Sequence, residues 1–204
     1  MQVLSKLYDW LALADTLQAS NVIFVLAGRE CRKQFGLQMF KEGWASTLLL
    51  SVGRFELRNF TQRTLPMTTD LVALASSIPP RGRHFFVALR DGQVQTELIP
   101  WQQFGTWREI CALAKWLRRQ EGVRTLAIIS SGFHLRRVRW CCRRLLPKSI
   151  TASFIAVPSE FPAFNRSQWW RNTSSRNLVL RELAKVVLYP LLLSRACPFD
   201  GQAG

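Results

Sequence analysis

The chain has 204 residues, 48% of them apolar: enough for one sizeable core and too apolar for a disordered chain. Its 28 Lys and Arg against 13 Asp and Glu give a net charge of +15, a field that favours anionic partners such as phosphate-bearing small molecules, nucleic acid or an anionic membrane surface. Two histidines are too few for a His-rich metal centre, and five cysteines without zinc-like spacing read as reduced thiols, so no metal ligands are expected.

No internal repeat or low-complexity tract divides the sequence, which reads as one domain over residues 1–204. Residues 3–19 predict an amphipathic helix, with Leu4, Leu7, Leu11, Ala14 and Leu17 three or four apart. "NVIFVLAG" is a continuous apolar run that ends in Gly28, as a buried parallel strand does. "RKQFGLQMFKEG" has helical spacing and stops at Gly43, and "STLLLSVG" is a second buried strand ending at Gly53. Residues 54–82 are mixed, with a short helix expected near 69–77 and a Pro-Pro turn at 79–80.

"HFFVALR" is a third strand, and "DGQVQTELIPW" reads as a hairpin or a short edge element. "TWREICALAKWLRRQ" is a helix, "RTLAIISSG" a buried strand, residues 133–146 a helix and "ITASFIAV" another strand. Residues 174–193 form a long last helix that Pro190 ends or kinks. This alternation predicts an α/β fold, a Rossmann-like three-layer sandwich. Its mostly parallel sheet has about five strands, with helices on both faces.

In such sheets ligands sit beyond the carboxyl ends of the strands. Three glycine turns, "LAGR", "SVGR" and "SSGF", bring Gly28, Arg29, Ser51, Gly53, Arg54, Ser130, Ser131 and His134 to that edge. On the helix after the third turn, Leu135, Val138, Cys141, Cys142, Leu145 and Leu146 share one face. Arg136, Arg139, Arg143, Arg144 and Trp140 share the other, a solvated one for most of these arginines. His134 and Arg137 lie at the boundary, in the first turn, where an arginine is best explained by an anion or carboxylate partner. "TWRE" fits a capping box of Thr106 and Glu109, and equally a pair of site residues at the helix start. P-loop, G-x-S-x-G, H-E-x-x-H and G-x-G-x-x-G motifs are absent.

These pieces resemble, in order and spacing over residues 15–192, the YdcF-like family (domain of unknown function 218, SanA/ElyC-like). The matching elements are the first glycine turn, Arg32 eleven residues before Gly43, Ser51 and Gly53 ending a strand, and Thr106 with Glu109. The "SSGFHLRR" stretch carries Ser130, Ser131, His134 and Arg137, and Glu182 with Lys185 completes the pattern. Val52 stands where that family has glycine, and Phe133 replaces its tyrosine.

The resemblance implies a Rossmann-type domain, a link to bacterial envelope biogenesis, and S-adenosylmethionine as a possible cofactor. It also gathers Arg32, Ser51, Thr106, Glu109, Ser131, His134 and Arg137 into one polar site. The resulting expectation is a site for a phosphate-bearing or nucleotide-like ligand. Gly28, Arg32, Ser51, Gly53, Thr106, Ser130, Ser131 and Arg137 would bind it, His134 would be the acid–base group, and Glu109 would orient His134 or a basic partner. The alternative is a non-enzymatic basic protein that docks on an anionic membrane or an envelope-synthesis complex. Nucleic acid has no reader motif here, and Trp169-Trp170 reads as packing. The sequence shows no signal segment and no run of the ~18–20 apolar residues that spanning requires. A cytoplasmic chain, with contact at the periphery of the inner membrane as the alternative, is the expectation.

Overall fold

The computed structural model describes residues 2–53, 84–90, 93–98, 105–158 and 168–193. In chain order these form α1 (Gln2–Leu11), β1 (Ser20–Val25), α2 (Glu30–Lys41), β2 (Ala45–Val52), β3 (Phe85–Arg90), β4 (Gln93–Leu98) and α3 (Gly105–Arg118). There follow β5 (Thr125–Ser130), a single 3-10 turn (Gly132–His134), α4 (Leu135–Leu145), β6 (Thr151–Ala156) and α5 (Thr173–Leu193). The short helix expected near 69–77, the Pro-Pro turn and Arg54 lie outside the described residues.

The strands make one sheet in the order β4-β3-β2-β1-β5-β6. The fold is the Rossmann-like α/β sandwich the pattern predicts, with six described strands rather than about five. β2, β1, β5 and β6 are parallel, while β3 pairs antiparallel with both β2 and β4. Two residues separate β3 from β4, far fewer than a parallel crossover needs, so this edge is a hairpin.

The central strands are apolar along their length because both faces are covered. On one face Phe24, Leu26, Leu49, Phe86 and Ile128 pack against Trp107, Ile110 and Leu113 of α3 and Leu135, Val138 and Cys141 of α4. On the other, Val25, Leu48, Leu50 and Ile129 pack against α2 through Met39, with Phe35 and Phe40 alongside. α2 lies close because Gly36 has no side chain: a Cβ there would stand 2.3 Å from Cγ2 of Val25. Burial drives the Cys141 thiol up to about 12 and Cys142 well above its ordinary value, which keeps both protonated and inert.

The first helix ends at Leu11, eight residues short of the periodicity's reach. The chain beyond it is held in an irregular path along the open edge of β6. Asp15 N–H donates to Phe154 O at 2.7 Å, and the Asp15 carboxylate accepts from Phe154 N–H at 2.9 Å. Both oxygens of that carboxylate also take Nη2 of Arg139 at 2.7 Å. Hydrogen bonds to an exposed strand edge replace the helical ones that Ala14 and Leu17 would have joined. At the other end, α5 runs through Pro190 to Leu193 rather than stopping there.

Candidate functional site

β1 runs on to β2 through α2 on one side, whereas its other neighbour, β5, runs on to β6 through α4. The order therefore reverses between β1 and β5, and the crevice beyond their carboxyl ends is the topological switch point. The site residues gather here. Gly28 and Arg32 follow β1, Ser51 and Gly53 end β2, Ser130 and Ser131 end β5, and His134 and Arg137 open α4. Thr106, in the first turn of α3, and Glu109, just after it, come in from the start of that helix.

Two linked clusters form. In the first, His134 is bound at both ring nitrogens: Nδ1 lies 2.9 Å from Oγ of Ser130, and Nε2 lies 3.2 Å from Oγ1 of Thr106. Arg137 Nη1 donates to Thr106 Oγ1 and, at 3.1 Å, to the Tyr189 hydroxyl. Its Nε and Nη2 grip the Glu182 carboxylate at 3.0 and 2.9 Å, and Lys185 Nζ reaches the same carboxylate at 2.8 Å. All but Lys185 are buried. Burial, and then the charges of Arg137, Arg32 and Lys185, hold the His134 pKa well below 6.5, so the ring is neutral. A neutral imidazole with both nitrogens already bonded to hydroxyls is placed to position its neighbours.

In the second cluster, Glu109 Oε1 accepts the Ala27 N–H at 2.8 Å and the Ser51 hydroxyl at 2.7 Å. His84 Nε2 stands 3.3 Å from Ser51 Oγ and 3.9 Å from Glu109 Oε1. Burial alone would raise the Glu109 pKa; the hydrogen bond and charge of His84 and the bonds from Ala27 and Ser51 outweigh it, so the carboxyl is held below its ordinary value. Arg32 completes the frame: Nη1 donates to Ala27 O at 2.8 Å and Nη2 to Ser131 Oγ, tying the first glycine turn to the third.

Of the two partners expected for Glu109, His134 or another basic group, the geometry sets the second beside it: Glu109 faces His84 and accepts the Ala27 N–H, and does not meet His134. The capping box is not formed either: Thr106 is the second residue of the helix, and both its side chain and that of Glu109 reach across to other elements. His84 is the residue the sequence reading passed over. It stands immediately before β3, and only the antiparallel pairing of Val52 with Phe85 sets it beside Ser51.

The four arginines expected on one largely solvated face of α4 divide in two, the half-buried pair Arg136 and Arg139 packing against rings. Arg143 and Arg144 are exposed; Arg136 lies over the Trp10 ring and Arg139 over Phe154. Trp169 is buried, donates its indole N–H to Leu4 O at 3.1 Å and meets Trp170 edge to face. Two open grooves, of about 280 and 290 Å³, lie elsewhere. One runs between the end of α4 and β6, where Arg143 and Lys148 line it; the other lies over Phe86 and Ala88, beside Trp116. Their lining residues include none of the polar cluster.

No family model matches the chain, and no curated protein or solved structure matches it at a significant level. Fold and geometry together define a class: a Rossmann-like α/β domain whose switch point is filled by a buried, hydrogen-bonded polar cluster.

Proposed function

We propose that this is a YdcF-like protein that binds a phosphate-bearing or nucleotide-like small molecule at the carboxyl ends of β1, β2 and β5, in bacterial envelope biogenesis. The observation that carries the reading is the charge at the switch point. Arg32, Arg137 and Lys185 stand against Glu109 and Glu182, around a histidine that burial, and then the cations, hold neutral. The buried charges balance, two against two, and the surplus comes from Lys185 at the solvent edge of the cluster, where a net positive field favours an anion. Arg137 is committed to Glu182, Thr106 and Tyr189, and Arg32 to the Ala27 carbonyl and Ser131, so both supply field and rigidity, with Arg32 at the turn a ligand would approach. The same surplus disfavours the sulfonium of S-adenosylmethionine, which therefore serves as the contrasting ligand.

The test is a melting-temperature panel of nucleotides, nucleotide sugars, isoprenyl phosphates and S-adenosylmethionine. At a hundred times Kd, a ligand of the native state adds about 2.7 kcal/mol of stability. A rise confined to one phosphate-bearing class and lost in Arg32→Gln supports the reading. A panel in which no phosphate-bearing ligand raises the melting temperature overturns it.

A second reading, docking on an anionic membrane surface, is favoured by a separate feature. Leu180, Val187, Leu188, Leu191 and Leu192 of α5 are exposed, and their spacing sets them along one side of the helix on a strongly basic chain. Among the described residues no helix is long and apolar enough to cross a membrane. Co-sedimentation with phosphatidylglycerol vesicles that falls with salt and with Leu188→Gln/Leu191→Gln supports this second reading; absent or salt-insensitive binding removes it.

A further inference from the structure

The anion-binding reading leaves open which group exchanges protons with the ligand, and the two histidines of the chain differ sharply in their fitness for it. His134 has both nitrogens bonded and is ringed by cations. To take a proton it would have to break a hydroxyl contact and add a charge to an already positive cluster. His84 stands at the opposite pole of the site, beside an ionised carboxylate, with its side chain 13% exposed.

The hydrogen-bond directions around His84 follow from its partners. The Ser51 hydroxyl has a single proton, and its 2.7 Å bond to the Glu109 carboxylate uses it. The lone pairs of Ser51 Oγ are then left to accept, so His84 Nε2, 3.3 Å away, carries the hydrogen and donates it. Nε2 also faces Glu109 at 3.9 Å. Nδ1 is then the basic nitrogen of the neutral ring. It lies on the other side of the ring from this pair and has no hydrogen-bond partner among the described residues. When Nδ1 takes a proton, the imidazolium is neutralised by Glu109, directly and through Ser51, whose hydroxyl keeps its orientation. Ser51 of β2 and Glu109 of α3 are the polar groups that meet Nε2 among the described residues.

We propose that His84, rather than His134, is the proton-exchanging residue of the switch-point site, with Glu109 and Ser51 holding its Nε2–H so that Nδ1 serves the bound anion. One proton moves: from water or a ligand hydroxyl to Nδ1, leaving the donor one charge more negative and the His84–Glu109 pair neutral overall. His134 is a positioning residue. This assignment rests on the anion-binding reading of the same crevice.

With two histidines in the chain, imidazole resonances of the full-length protein can be followed by NMR across pH, and a His84→Gln variant assigns both sets. Expected are one titrating ring, His84, and one that stays neutral, His134, while the native fold persists. Glu109→Gln should lower the midpoint of His84, because the opposing charge is gone. Inorganic phosphate should raise that midpoint, since an anion bound beside the imidazolium is linked reciprocally to its proton.

A titrating His134 beside a silent His84 overturns the assignment, as does a midpoint that Glu109→Gln leaves in place. If phosphate raises the melting temperature yet leaves the His84 midpoint unchanged, the His84 assignment falls and anion binding stands. If neither inorganic phosphate nor any phosphate-bearing ligand of the panel changes the melting temperature or any imidazole resonance, anion binding falls, and the assignment with it.

Discussion

The carboxylate of Glu109, near the start of α3, accepts the backbone N–H of Ala27 across 82 positions of sequence. From the other side, Arg32 donates to the Ala27 carbonyl. One peptide segment at the end of β1 is thus held by an anion at its N–H and a cation at its C=O. The first glycine turn is shaped by side chains from two other elements rather than by its own residues.

Removing Glu109 should therefore loosen the turn as well as the site. Glu109→Ala leaves the Ala27 N–H, the Ser51 hydroxyl and His84 without their shared acceptor. A cost of about 1–3 kcal/mol is expected for a buried donor left unmet. Glu109→Gln, which keeps an acceptor oxygen, should cost less. Urea unfolding of the two variants measures the difference, and equal stabilities would contradict the role assigned to the Ala27 contact.

The Arg137–Glu182 pair makes a sharper test because both members are buried. Breaking it from one side, with Arg137→Met or Glu182→Gln, should cost about 3–5 kcal/mol. Replacing both should cost less than the sum of the singles. Additive losses in a double-mutant cycle would show that the two side chains act independently.

Acid should destabilise the protein from near neutrality. Unfolded, His134 returns to its ordinary value near 6.5; folded, it is held well below that. As pH falls, the unfolded chain takes up the extra proton first. The contribution of this residue is complete above pH ~6.5 and is lost below it, at up to about 1.4 kcal/mol per pH unit. Glu109, held below its ordinary 4.5 when folded, adds to the loss only at still lower pH. Unfolding curves at pH 8, 7, 6 and 5 read the slope directly. His134→Gln should be less stable at pH 8 but show a shallower fall from pH 6.5 to 5; an unchanged slope would refute the burial argument.

Gly28 has φ +143°, and a Cβ there would stand 2.6 Å from Nη1 of Arg32. Gly28→Ala should push the guanidinium off both the Ala27 carbonyl and Ser131, at a cost of about 1–3 kcal/mol from strain and lost bonds. It should also abolish any melting-temperature rise produced by phosphate. A stable variant that still responds to phosphate would remove Arg32 from the ligand site.

Much of this was present in the amino-acid order. Continuous apolar runs ending in glycine marked β1 and β2, a similar run marked β5, and helical spacing marked α2, α3, α4 and α5, because burial on both faces or on one stripe leaves a local signature. That alternation implies a parallel sheet, and a parallel sheet implies one edge where Gly28, Ser51, Ser130 and Ser131 collect. Tertiary pairing decided the remainder. Strand direction has no one-dimensional signature: "HFFVALR" reads the same in either sense, yet the antiparallel sense alone carries His84 to the end of β2. Asp15 ended α1 at Leu11 through contacts with β6 that no helical period encodes. Thr106 and Glu109 satisfied a local capping pattern, but donors from β1, β2 and α4 claimed their side chains. Hydrogen-bond partners of a buried polar group are chosen by proximity in three dimensions, and periodicity along the chain records only which face a residue occupies.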